Sequence, residues 1–334
     1  MLKRGFSTKK YLLIQENKVL ERIRKFDRLY LEFGGKLFYD NHAARILPGY
    51  KKTIKAEFLK QLEDLEIIYC INAKDLQATR RVGGRVSYEK QALKDLRDSK
   101  KFKIEIKKVI ITRYDGEAKA KTFRKRLIKL GKKVYFHKEI PGYPNNLTKV
   151  IRGYAKQPYI PIKKDIVVVT GPTGGSGKMA VALSQIYHDH KKKINSGFAK
   201  FETFPIWNLP LKHPINLAYE AATADLQDKN MIDPYHWKAY KVKAVNYNRD
   251  IENFAILKAI IKKITKKNFP FGYKSPTDMG INTIKQAIIN PELCKKAALK
   301  EIKRRYKIYQ REFKKGRESK ATLDRVEEII KKIK

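Results

Sequence analysis

The sequence has 334 residues, 42% of them apolar and 11% aromatic. That is enough to bury a core, which excludes a wholly disordered chain. Its 76 Lys+Arg against 34 Asp+Glu give a net charge of +42, a field that attracts polyanions. Two cysteines, Cys70 and Cys294, make neither a disulfide framework nor, alone, a structural zinc site. They read as reduced thiols of a cytoplasmic protein. No segment approaches the ~18 consecutive apolar residues a membrane helix needs, and no apolar run follows the basic start, so no secretory signal is expected.

In chain order, residues 9–28 carry Leu12, Leu13, Val19, Leu20 and Ile23 near helical spacing. Residues 29–33 read as a strand broken at Gly34-Gly35. A helix over 53–63, a strong strand over 65–71, a helix over 88–98, a strand over 109–112, a helix over 117–130 and a short strand at 134–136 follow. Strands alternating with helices of this length imply parallel pairing through crossover helices. A turn-rich junction at Gly142-Tyr143-Pro144-Asn145-Asn146 closes this first α/β lobe, residues 1–150.

A second α/β region spans 151–245. Residues 165–170 are an almost continuous apolar strand, the kind buried on both faces. A glycine loop, a helix over 178–190 and a strand over 199–204 come next. From 246 to 334 the chain reads as helical and basic, with an amphipathic stripe at Leu323, Val326, Ile330 and Ile333. The expected fold is therefore α/β: mostly parallel sheets with flanking helices in two Rossmann-like lobes, plus a helical C-terminal subdomain.

Charge is unevenly spread. Residues 165–252 hold eleven Lys/Arg against nine Asp/Glu, whereas residues 291–334 hold sixteen against seven. Nucleic acid is one partner this charge allows. Aromatics do not interleave with the basic runs, however, as a stacking platform requires. Runs such as Lys191-Lys192-Lys193 read as solvated helix faces.

The most informative motif is Gly171-Pro172-Thr173-Gly174-Gly175-Ser176-Gly177-Lys178-Met179, between a buried strand and a helix. That setting suits a phosphate-binding loop. Glycines let successive N–H groups converge, the helix start adds partial positive charge, and Lys178 adds a full one. Gly171, Thr173, Gly174, Gly175, Ser176, Gly177 and Lys178 are the candidate phosphate-binding residues. Met179 stands where Ser or Thr would hold Mg²⁺, and a thioether is a poor ligand for a hard cation. Any Mg²⁺ must be held elsewhere, and the pattern names no metal ligand. A nucleoside triphosphate or other phosphate ligand is the expected cofactor class.

The low-charge stretch after the loop supplies acid–base candidates: Glu202, His213, Glu220 and Asp225, with Lys178 as the charge-neutralising group. His213, in a proline-bounded loop, is the best single proton shuttle. Asp233 before Pro234 reads as a helix N-cap. His188 and His190, two residues apart, cannot form the i, i+4 zinc pair. Gly34, Gly35, Lys36 and Arg45 follow the first strand, where α/β ligands usually bind. Asn208, Lys212 and Asn216 are further ligand-binding candidates.

Several blocks together, among them Tyr30-to-Phe38, Gly174-to-Met179, Lys200-to-Pro214, Asn216-to-Leu226, Asn246-to-Asp250 and Tyr273-to-Gly280, resemble the bacterial family called domain of unknown function 1846, also uncharacterised protein family 0371. The likeness runs from about Phe6 to about Tyr306. It implies a cytosolic multidomain α/β protein with a helical subdomain, and nucleotide binding by analogy at the loop. It supplies no reaction. The resemblance also implies three departures: a chain short of a further α/β portion after Gly280, a more basic surface, and a glycine at 171 that family members lack. The expected function is a nucleotide- or phosphate-dependent enzyme. The alternatives are a basic nucleic-acid-binding module, or a shortened, non-catalytic homologue acting through protein contacts, with a homo-oligomer as one form.

Overall fold

The computed structural model describes residues 4–62, 64–82, 86–266 and 272–333. The last residue of the helix expected over 53–63 lies outside them, as do the extreme ends of the chain. Seven strands, numbered here in chain order, are β1 (Arg28–Phe33), β2 (Leu65–Asn72), β3 (Lys108–Tyr114), β4 (Lys133–Lys138), β5 (Ile166–Thr170), β6 (Ser196–Phe201) and β7 (Gly280–Ile281). They form one parallel sheet in the order β7-β6-β1-β5-β2-β3-β4.

The α/β class, the parallel pairing and the helical C-terminal region match the expectation. The two stretches expected as separate lobes nonetheless share this single sheet. The reason lies in β5, whose run Ile166-Val167-Val168-Val169-Thr170 is buried throughout. A strand apolar on both faces is stable only in a sheet interior covered on both sides. Insertion between β1 and β2 puts it in the sheet interior, and the two cores cover its faces, Val168 on one side and Val167 and Val169 on the other.

Side chains alternate between two cores. Leu29, Leu31, Phe33, Val168 and Phe201 face one layer; Tyr30, Val167, Val169 and Phe198 face the other. The first layer holds α1 (Thr8–Ile23), α2 (Asn41–Ile46), α3 (Ile54–Gln61), α4 (Ala73–Gln77), α5 (Tyr88–Lys101) and α6 (Ala118–Lys129). The second holds α7 (Leu147–Ala155) and α8 (Lys178–Lys191). Helix α1 stops five residues before the expected end because Arg28 already belongs to β1, where its guanidinium meets Asp189 at 2.7 Å. Beyond β6 come α9 (Pro214–Ala222), α10 (Pro234–Tyr240), α11 (Asn248–Thr265) and α12 (Pro276–Met279). An antiparallel ribbon pairs residues 230–232 with 245–247.

The basic C-terminal region folds onto the body. Helix α13 (Pro291–Lys314) packs against α2 and α9, and α14 (Lys320–Lys331) packs against α13 and α9. Val326 and Ile329 are fully buried, with Leu323, Ile330 and Ile333 partly buried around them. The amphipathic stripe is thus covered by its own chain. No helix among the described residues is long and apolar enough to cross a membrane.

Candidate functional site

In a parallel sheet all strands end on one edge. Here β1 lies between β5 and β6. After β1 the chain passes to the layer of α2 and α3; after β5 it passes to the layer of α8. Divergent crossovers leave a crevice at the carboxyl ends of such strands. A cavity of about 990 Å³ occupies that position.

The glycine loop forms one wall. Gly177 adopts φ +78°, and a Cβ there would lie 2.8 Å from Thr112, so only glycine fits. The loop's carbonyls are held by the protein. Asn72 donates to the Gly175 carbonyl at 3.0 Å, Thr112 to that of Ser176 at 2.9 Å, and Lys36 to that of Pro172 at 3.1 Å. The Ser176 hydroxyl turns inward, donating to the Thr173 carbonyl at 2.8 Å. Helix α8 begins at Gly177 without a side-chain cap. Its first-turn N–H groups therefore have no intrahelical acceptor, and Lys178, Met179 and Ala180 border the cavity. The Lys178 ammonium is 3.4 Å from Glu32 Oε1.

A charged cluster lies at the floor. Glu32 on β1 and Lys200 on β6 are register partners. The Lys200 ammonium donates to Asp250 and, at 3.2 Å, to the Tyr247 hydroxyl. Glu32 Oε2 is buried without a hydrogen-bond partner. Burial raises the Glu202 carboxyl to about 8; repulsion from Asp250 and Glu32 adds to this, and the Lys200 charge opposes it. Glu202 Oε2 is so close to Gly280 that a Cβ there would come within 2.3 Å. Arg249 grips Asp228 through two bonds of 2.6 and 2.9 Å at the same wall. Perturbed titratable groups in a cleft mark a candidate functional site.

Of the residues singled out from sequence, Gly34, Gly35, Lys36, Arg45, Gly174, Gly175, Gly177, Lys178 and Glu202 border this cavity. Burial lowers the pKa of the Lys36 ammonium, and Asp95 counters it. Gly171 lies beneath the loop, where a Cβ would approach the Cys70 carbonyl to 2.5 Å. Thr173 and Asp225 border an adjoining cavity of about 160 Å³.

The others stand elsewhere. His213 caps α9, its Nδ1 accepting from the Ile215 amide at 3.2 Å. Glu220 is buried in an ion pair with Arg325 and accepts from the Asn230 amide at 3.2 Å. Asn216 ties down Ile206 through both its amide and its carbonyl. The Asn208 carbonyl accepts from Lys285, and Lys212 is exposed. Helix α9 explains this split. Its C-terminal end, Tyr219 and Ala222, borders the cavity, while His213 sits at the opposite end, roughly 9–13 Å away at about 1.5 Å per residue. Asp233 caps α10, as its position before Pro234 indicates.

Sequence reading missed Glu32, Lys200, Arg249, Asp250, Arg304 and Arg305. For two of them a signal existed: a charged residue near the carboxyl end of an otherwise buried strand, in Arg28-Leu29-Tyr30-Leu31-Glu32-Phe33 and Ser196-Gly197-Phe198-Ala199-Lys200-Phe201. A buried charge is costly unless partnered. Among the described residues, no group of three or more His, Cys, Asp or Glu side chains is placed to hold a metal ion.

The family model described as "Domain of unknown function DUF1846, N-terminal" matches residues 4–334. A UPF0371 protein of Clostridium tetani (strain Massachusetts / E88) is 48% identical over 333 residues, which is 98% of this chain and 66% of the relative. UPF0371 proteins of Clostridium botulinum are 46% identical: over 336 residues in strain Alaska E43 / Type E3, covering 99% of this chain, and over 333 in strain Kyoto / Type A2, covering 98%, each match spanning 66% of the relative. The chain thus spans about two thirds of the length of the curated relatives it matches.

Proposed function

Since the chain belongs to the DUF1846 family, whose description names no reaction, we propose from the cavity itself that the protein is an enzyme acting on a nucleotide or another phosphate-bearing small molecule. In this reading the uncapped start of α8 and Lys178 receive the phosphate, and Glu202 moves a proton at the floor. One observation carries it: the start of α8 and Lys178 open onto the same 990 Å³ space as Glu202, whose carboxyl is held near neutrality. An acid whose pKa lies near the working pH suits general acid–base chemistry. Glu32 competes with the ligand for Lys178, so the phosphate displaces that contact. Mg²⁺ enters this reading only with the phosphates of a nucleoside triphosphate.

Thermal unfolding with inorganic phosphate, nucleoside mono- and triphosphates and hexose phosphates tests it. A ligand at about 100 times its Kd adds about 2.7 kcal/mol, a rise of a few degrees for a chain of this size. Lys178→Ala should remove most of that rise. No shift with any phosphate compound, or a shift that survives Lys178→Ala, rejects the reading.

A further inference from the structure

Glu301 on α13 is 1% exposed and gathers three guanidiniums. Arg304 approaches it through Nε at 2.6 Å and Nη2 at 2.8 Å, Arg305 through Nε at 3.0 Å, and Arg45, from α2, through Nε at 2.8 Å. Positions 301, 304 and 305 share one helix face because they are three and four apart. These bonds use the acceptor sites a carboxylate offers, while Arg45 and Arg305 each give only one of five N–H donors. Burial lowers the pKa of His42, 3.4 Å from Glu301, so the ring adds no charge at neutral pH. Three cations bonded to one anion leave a positive surplus, which Asp225, near enough for the Arg305 charge to act on its carboxyl, partly offsets.

All three arginines border the same 990 Å³ cavity as Lys178, and they remain partly open, at 35% for Arg45, 39% for Arg304 and 20% for Arg305. Asp225 and Glu318 border the adjoining small cavity that Arg305 also touches. Neither bonds to the trio. Helices α2 and α13 belong to the first layer and α8 to the second. The two cationic sites therefore belong to elements on opposite faces of the sheet and border one cavity.

From this placement we infer that Arg45, Arg304 and Arg305 form a second oxyanion subsite, so that the ligand is a small molecule with anionic groups at both ends. A guanidinium fork matches phosphate and carboxylate geometry alike, so the far group is either of these oxyanions. The inference deepens the proposed function and rests on it.

Binding is measured on the full chain with three hexose probes: glucose 6-phosphate, fructose 1,6-bisphosphate and 6-phosphogluconate. Adenosine 5′-monophosphate against adenosine 3′,5′-bisphosphate forms a second series. The readout is the ratio of affinities between two-anion and one-anion members, which partial misfolding leaves unchanged. A charge-assisted bond to a second group predicts a ratio of at least about tenfold in one series. The bisphosphate and the phosphogluconate arms separate phosphate from carboxylate. Arg305→Gln should bring the ratio toward one, Arg305→Lys should restore part of it, and Glu301→Gln, which frees the trio, should widen it. Lys178→Ala should weaken both members together and keep the ratio. No advantage for the second anion, or an advantage indifferent to Arg305 and Glu301, overturns the inference, while Lys178-dependent binding of the one-anion probes would still support the proposed function. Absence of binding by every probe overturns the inference, and the proposed function falls with it when inorganic phosphate and nucleoside triphosphates also fail to bind.

Discussion

Replacing Glu202 by glutamine should change how stability depends on pH, by an amount the buried cluster sets. The carboxyl lies at about 8 in the folded protein against an ordinary 4.5. At pH 7 the protonated form therefore predominates. Below pH 4.5 both folded and unfolded chains carry the proton, and the group has no effect on stability. Between 4.5 and 8 the unfolded chain releases the proton while the folded one keeps it. Stability is therefore lost as pH rises across that window. At 1.36 kcal/mol per unit, the loss totals roughly 5 kcal/mol by pH 8. Glutamine keeps the shape and cannot ionise. Urea unfolding of both proteins, followed by the fluorescence of Trp207 and Trp237 between pH 5 and 9, isolates the effect as a difference. The glutamine variant should gain on the native protein by about 1.4 kcal/mol per pH unit through the window, then level off. A difference that stays constant within about 0.5 kcal/mol from pH 5 to 9 would refute the assignment of Glu202 as a carboxyl held protonated by burial.

Gly280→Ala should push the Glu202 carboxyl group aside, because the new Cβ would come within 2.3 Å of Oε2; the expected cost is about 1–3 kcal/mol of stability, read by denaturant midpoint, together with a weaker pH dependence over 4.5–8. Arg325→Ala should cost about 3–5 kcal/mol, since it strands the buried Glu220. Pairing it with Glu220→Leu should recover much of that loss, and a double variant no more stable than Arg325→Ala would argue against the ion pair as the cause.

Part of the site was legible in the sequence for a local reason. The strand–glycine loop–helix order is a property of adjacent residues, so Gly174, Gly175, Gly177 and Lys178 were found together, and they do border one cavity. The strand end Gly34-Gly35-Lys36 was found the same way. His213 and Glu220 illustrate the opposite case. Both lie in a polar, low-charge stretch near Glu202 in sequence, yet α9 holds His213 at its far end, as a cap, and turns Glu220 away from the cavity into an ion pair with Arg325.

The amino-acid order alone determined the α/β class, the parallel pairing and the amphipathic C-terminal helix, because these follow from apolar periodicity within each segment. Only the tertiary structure decided that β5 enters the sheet between β1 and β2, and so merges two expected lobes. The same holds for the meeting of Glu32 with Lys200, and of Arg45 with Glu301 some 256 residues away. Such partners are chosen by which strand is buried on both faces and which charges remain without a counter-charge. These properties arise only once distant segments pack together.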